Sequence, residues 1–186
     1  MNNEKYDGIL QRAELLYSKE DINNALDKIA EQITAKVKGK NPIFLCVMNG
    51  GLVVGGQLMP RLNFPLRIDC IQTSRYGIAT EGGDFQWLNK PCFDLKRQCV
   101  VIIEDIIDTG ITLTLIKDYC FKVGASEVYV TALVDKHERR APNGLAQLDF
   151  YTLPVPDKYV IGCGLDYQHY FRNLPAIYAM AASDTV

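Results

Sequence analysis

The chain has 186 residues, 48% of them apolar, with a formal net charge of -2. That is enough for one domain with a full core, and a pI of about 5.7 speaks against a nucleic-acid module, which is usually basic. The stretch "MNNEKYDGILQ" is polar and charged and no apolar run is long enough to span a membrane, so a cytoplasmic protein with no membrane partner is expected.

In chain order, "SKEDINNALDKIAEQITAKV" sets Ile22, Leu26, Ile29, Ile33 and Val37 at helical spacing, with Ser18 and Asp21 as a capping-box start. "PIFLCVM" is an unbroken apolar run, which predicts a buried strand ending at "NGG". "LVVGGQLMP" predicts a short, glycine-weakened helix closed by Pro60. "LRIDCIQTS" reads as a strand, and "RYGIATEGGDFQWLNKPCFDLKRQ" as a long loop of the kind that forms lids and binding segments. Then "CVVIIED" is a strand, "TLTLIKDYCFKVG" a helix ending at Gly124 and "EVYVTALVD" a strand. This alternation predicts an α/β fold whose mainly parallel central sheet is flanked by helices on both faces. The tail from Asp149 to Met180 is aromatic-rich and broken by prolines. It is expected to join the other chain end in a small hood, residues about 1–17 and 155–186, on a core of about 18–154 within one domain. Six cysteines form no CxxC pair, and Cys46, Cys70, Cys99 and Cys163 lie in apolar stretches, so they are expected to be small buried hydrophobes.

The stretch "CVVIIEDIIDTGIT", Cys99 to Thr112, carries the chemistry. Its apolar run stops at Glu104 and Asp105, and Asp108 follows beside Thr109 and Gly110. In open parallel sheets ligands bind beyond the carboxyl ends of the strands. The loop "DTGIT" leads into a helix, so its N–H groups and the helix N-terminus offer an anion site. Thr109 and Thr112 add hydroxyl donors, and Gly110 permits close approach of the backbone. A phosphate alone would be repelled by three acids. A sugar resolves this, its vicinal hydroxyls donating to Glu104 and Asp105 while its phosphate sits on residues 108–112, which implies a ribose 5-phosphate. Helix capping is the plainer alternative, but one acid would serve it, for about 0.3 to 1 kcal/mol.

"VVIIEDIIDTGIT" closely resembles the phosphoribosyl-pyrophosphate motif of type I phosphoribosyltransferases. "MNGG", "LVDKHERR" and "PDKYVIGCGLDYQHYFRNLP" narrow the resemblance to hypoxanthine-guanine phosphoribosyltransferases, over about residues 43–174. It implies the type I fold and transfer of 5-phosphoribosyl from its 1-pyrophosphate to hypoxanthine or guanine, forming IMP or GMP and pyrophosphate. By resemblance, Glu104, Asp105, Asp108, Thr109, Gly110, Ile111 and Thr112 hold the ribose and 5-phosphate, and Asp108 is the general base near N7. Lys136 donates to the purine O6, Tyr159 stacks on the base, and the main chain of Val160 reads its edge together with Asp166. Asn49, Gly50 and Arg172 take pyrophosphate. The Met48–Asn49 peptide is expected to be cis, and Asn49 stands where many relatives carry lysine. Ser74, Arg75 and Tyr76 are the candidate lid residues. Resemblance and charge balance imply Mg²⁺ at Glu104, Asp105 and Asp166, and a homo-oligomer, dimer or tetramer. His137 and His169 read as surface or supporting groups. Two alternatives stay open: a xanthine-preferring enzyme on this fold, and a regulatory sensor of phosphoribosyl pyrophosphate that binds nucleic acid without catalysis.

Overall fold

A computed structural model describes residues 1–73 and 87–185. In chain order the elements are α1 (Asn3–Arg12), β1 (Glu14–Tyr17), α2 (Lys19–Val37), β2 (Ile43–Val47), α3 (Gly50–Leu58), β3 (Arg67–Thr73), β4 (Trp87–Asn89), β5 (Cys99–Ile107), α4 (Ile111–Lys122), β6 (Glu127–Asp135), β7 (Leu153–Pro154), β8 (Val160–Ile161) and β9 (Ile177–Ala179).

α2 starts where its sequence directs. The Asp21 N–H donates to Ser18 Oγ at 3.2 Å and the Ser18 N–H to the Asp21 carboxylate at 2.9 Å, a reciprocal capping box. The stripe Ile22, Leu26, Ile29, Ile33 and Val37 is buried along it. It packs with Val54 and Leu58 of α3 against one face of a six-stranded sheet, in the order β4-β3-β2-β5-β6-β7. On the opposite face Leu113, Ile116 and Cys120 of α4 cover Val100, Ile102 and Val130. β5 and its neighbours are apolar on both faces because both faces are covered.

The structure corrects several sequence expectations. The sheet is parallel except at β4, a short antiparallel strand inside the segment read as loop. Its pairing with the edge of β3 decides its conformation, since three residues are too few to show a period. β5 does not stop at Asp105 but runs to Ile107, because β6 goes on pairing with it through Ile107↔Asp135. Pro60 lies within the 3-10 turn Met59–Arg61 that continues α3, a position where its missing N–H costs nothing. The polar opening stretch forms α1, capped by Asn2, whose side chain accepts from the Lys5 N–H. Tyr6 and Ile9 of α1 pack on Phe171 and Ile161, and the Tyr6 and Phe171 rings stack at 4.3 Å.

A second sheet, β1-β9-β8, joins the two chain ends in antiparallel pairings. With Tyr167, Phe171 and Met180 it forms a small apolar cluster of its own. The turn between β8 and β9 is contorted, with Gly162, Cys163, Gly164, Gln168, His169 and Phe171 all at positive φ. It carries Asp166 and Arg172 back toward the larger sheet.

All six cysteines are free. Cys46, Cys99, Cys120 and Cys163 are buried as expected, but Cys70 is half-buried and Cys92 exposed. Burial pushes the thiols of Cys46 and Cys99 up to about 11 and that of Cys120 to about 12. The expected result of titration with a thiol-specific chromophore at pH 8 is fast reaction at Cys92 and protection of Cys46, Cys99 and Cys120 until the protein is denatured. Rapid labelling of the buried three under native conditions would contradict this packing.

Candidate active site

The site follows from where strand pairing stops. β2 pairs with β5 only as far as Cys46↔Ile103, whereas β5 and β6 stay paired to Ile107↔Asp135. Glu104 to Ile107 therefore project past the end of β2. The chain leaves β2 for β3 on one side, while β5 lies on the other, so a crevice opens between them at the strands' carboxyl ends. A cavity of about 410 Å³ fills it. Asn49, Gly50, Glu104, Asp105, Asp108, Thr109, Gly110, Thr112, Lys136, Tyr159, Val160, Asp166 and Arg172 all line this cavity. Ile111 does not; it opens α4. Ser74, Arg75 and Tyr76 lie outside the described residues, just beyond Gln72 and Thr73 at the cavity wall.

Two helix N-termini reach the cavity, α3 through Asn49 and Gly50 and α4 through Gly110 and Thr112. The N–H groups of a first helical turn have no partner within their helix, and the helix dipole adds partial positive charge. At α4 the main chain is held so that this end faces the cavity, with the Ile111 N–H donating to Thr109 Oγ1 at 3.4 Å. The carbonyls of Asp108, Thr109 and Gly110 are each engaged by residues 140–145. Arg140 Nη1 donates to the first, the Ala141 N–H to the second at 3.0 Å and the Leu145 N–H to the third at 3.1 Å. Gly110 has a φ of +79°, and a Cβ there would come within 2.6 Å of the Leu145 nitrogen. Neither α3 nor α4 has a side-chain cap, so Asp108 is not employed as a helix cap.

At α3 the close approach is to the acids. A Cβ on Gly50 would collide with the Asp105 carboxylate, which explains the first glycine of "NGG". The Met48–Asn49 peptide bond is cis, as anticipated. Asp105 is buried, and its Oδ1 accepts the Ile106 N–H at 2.8 Å. Arg172 stands between two acids, Nη2 at 2.5 Å from Asp166 Oδ1 and Nη1 at 3.7 Å from Asp105 Oδ2. Its Nη1 also donates to the Gly164 carbonyl at 2.5 Å. The guanidinium thus ties the contorted turn of the small sheet to the acids of β5.

At the other end, Asp108 Oδ1 is buried and accepts no hydrogen bond from the described residues; Arg139 Nε is 3.5 Å away. The Lys136 N–H donates to the Ile107 carbonyl at 3.0 Å, which fixes where its side chain starts, and its ammonium forms no ion pair with a described residue. Tyr159, 44% exposed, meets the edge of Tyr167 at 5.4 Å, and its carbonyl accepts the Met180 N–H. An aromatic face, a lysine and a carboxylate that accepts no hydrogen bond at Oδ1 from the described residues can together bind a flat heterocycle and move its proton.

Sequence reasoning passed over two contributors, Arg139 and Arg140, which were visible only as charges within "LVDKHERR". His169, read as a surface or supporting group, is largely exposed, lines the cavity and gives its main-chain N–H to Asp166 Oδ2 at 2.8 Å. For Mg²⁺, Glu104, Asp105 and Asp166 are oxygen donors at the anion end, but no cluster of three or more candidate ligands occurs among the described residues. That donor set fits an ion that keeps waters and takes further oxygens from a phosphorylated ligand, as Mg²⁺ does.

Comparison with known proteins agrees with this geometry. The family model described as phosphoribosyl transferase domain matches residues 14–166. A hypoxanthine-guanine phosphoribosyltransferase of Streptococcus thermophilus is 33% identical over 164 residues, covering 88% of this chain and 90% of its own. A crystal structure of a hypoxanthine phosphoribosyltransferase from Staphylococcus aureus superposes with a TM-score of 0.88 at 28% identity, covering 100% of this chain and 99% of that one. A hypoxanthine-guanine-xanthine phosphoribosyltransferase structure gives 0.82 at 26% identity, with 91% and 98% coverage.

Proposed function

The chain belongs to the phosphoribosyl transferase family, among its hypoxanthine-guanine enzymes of purine salvage, and from that premise we propose that it makes IMP and GMP with Mg²⁺. The observation that carries this reading is the single cavity wall shared by the two helix N-termini, the acids of β5 and the group Lys136, Tyr159 and Val160. Phosphate and pyrophosphate take the N-termini of α4 and α3. The ribose hydroxyls donate to Glu104 and Asp105, and the purine lies between Tyr159 and the main chain of Val160. The small sheet built from both chain ends serves as a hood over the base.

In the reaction the bond from ribose C1 to the pyrophosphate oxygen breaks and a bond from C1 to a ring nitrogen of the base forms. The base loses its N7 proton to Asp108. Lys136 donates to O6, which favours 6-oxopurines; adenine would set an amino donor against an ammonium, a mismatch that can discriminate by about 10⁴ to 10⁵. Arg172 receives the leaving pyrophosphate beside Asn49 and Gly50.

Four carboxylates of the cavity, Glu104, Asp105, Asp108 and Asp166, face the cations of Lys136 and Arg172. The substrate's phosphates enlarge that excess of negative charge. Mg²⁺ held by Glu104, Asp105 and Asp166 would supply the missing positive charge and stabilise the leaving group. A cytoplasmic homo-oligomer without a nucleic-acid partner completes the proposal. No helix among the described residues is long and apolar enough to cross a membrane.

The test is a spectrophotometric assay with phosphoribosyl pyrophosphate and Mg²⁺ and each of hypoxanthine, guanine, xanthine and adenine. Turnover of hypoxanthine or guanine, lost on chelation of the metal, is expected. A second reading, preference for xanthine, predicts xanthine as the best substrate; a structural neighbour is named for all three bases. Binding of phosphoribosyl pyrophosphate with no turnover of any base would overturn both.

A further inference from the structure

Consecutive arginines meet Asp108 from two directions, and we infer that Arg139 and Arg140 position it for proton transfer, an inference that rests on the general-base role proposed above. Arg140 has a side chain only 10% exposed. Its Nη2 lies 2.5 Å from Asp135 Oδ1, and its Nη1 donates to the Asp108 carbonyl oxygen. Asp135 is locked in the sheet, opposite Ile107 on one side and Pro154 on the other, with its carbonyl accepting the Val155 N–H at 2.9 Å. A rigid path therefore runs from the sheet through Asp135 and Arg140 to the main chain of the catalytic residue.

Arg139 acts on the side chain. Its Nε is 3.5 Å from Asp108 Oδ1 and its Nη1 3.8 Å from Asp157 Oδ1, two residues before Tyr159. These separations are too long for strong hydrogen bonds, so Arg139 works as a charge. Its charge beside the buried Oδ1 fixes the carboxylate from behind the cavity, and it links Asp108 to the turn that enters the base-reading strand. The two roles need different chemistry. Arg140 must fork to two oxygens at once, which a lysine cannot do, whereas Arg139 needs only a positive charge.

The test is a set of double-mutant cycles. Arg140→Lys and Arg139→Gln are made in the parent enzyme and in Asp108→Asn, and kcat and phosphoribosyl-pyrophosphate affinity are measured for each. In the parent, Arg140→Lys is expected to lower kcat by up to about 10²-fold, the scale of a misplaced reacting group. Arg139→Gln is expected to lower it by about 2- to 5-fold, the scale of a half-exposed charge pair. Phosphoribosyl-pyrophosphate affinity should hold, because the ties of Ala141 to Thr109 and of Leu145 to Gly110 remain. In Asp108→Asn both losses should vanish, and Arg139→Lys should recover the parent rate. Equal losses in both backgrounds, or none in the parent, would overturn the inference while leaving the general base intact. An Asp108→Asn enzyme as fast as the parent would remove the general base and the inference with it. Should Arg140→Lys fail to fold, the half-exposed Arg139 decides the matter through the same cycle.

Discussion

Asp108→Asn is expected to lower kcat by about 10²- to 10⁴-fold, the usual worth of a positioned general base, with the affinity for phosphoribosyl pyrophosphate changed little. The split follows from what each part of Asp108 does. Its carbonyl accepts from Arg140, and that bond belongs to the main chain, so the substitution leaves it in place. α4 loses no cap, since it has no side-chain cap to lose. The amide keeps the shape of the carboxylate, and the N–H groups at the start of α4, the proposed 5-phosphate site, stay in place. What disappears is the proposed ability of the carboxylate to take a proton. Steady-state kinetics with hypoxanthine, together with calorimetric titration of phosphoribosyl pyrophosphate, separate the two quantities. Unchanged kcat would exclude proton transfer through Asp108, and a parallel loss of affinity would make it a ligand-binding residue instead.

The fold was legible where local signals and tertiary packing agree. Ser18 and Asp21 mark the start of α2, and the apolar stripe of that helix meets one face of the sheet, so its period, cap and burial point the same way. The run from Cys99 to Ile103 is buried on both sides, and the acids after it lie where β2 gives out. At the chain ends a joint hood was expected, but its individual strands were illegible for the opposite reason. β8 and β9 have only two and three residues, and β9 pairs with β1 from the far end of the chain. No local period can announce such a sheet.

Within the site the same distinction holds. Asp108, Lys136 and Arg172 were singled out from motifs, and all three line the cavity. Arg140 acts from behind the anion loop, through a segment returning more than thirty residues later to bind carbonyls at 108, 109 and 110. Its signal in sequence is a charged pair after a strand, which describes countless solvated turns. The turn that brings His169 to the cavity was illegible because positive φ at Gln168, His169 and Phe171 sets a course ordinary side chains rarely adopt.

Lys136→Ala is expected to raise KM for hypoxanthine and guanine by about 10- to 100-fold, the loss of one hydrogen bond from a charged donor, with KM for phosphoribosyl pyrophosphate nearly unchanged. The lysine begins at the end of β6, where its N–H is bound to the Ile107 carbonyl, so the main chain stays in register when the side chain is cut back. Its ammonium has no ion-pair partner among the described residues, so truncation should strand no buried carboxylate and the fold should survive. Within the cavity, a cation without a partner among the described residues is best used on a neutral acceptor of the ligand, and a 6-oxo group provides one. Adenine distinguishes this from simple loss of charge. Removing the lysine removes an unfavourable donor-to-donor contact, so discrimination against adenine should narrow even as the oxopurines weaken. If KM for phosphoribosyl pyrophosphate rises while the oxopurine KM holds, Lys136 serves the anion end of the cavity, and selection for a 6-oxo base must come from the main chain at Val160.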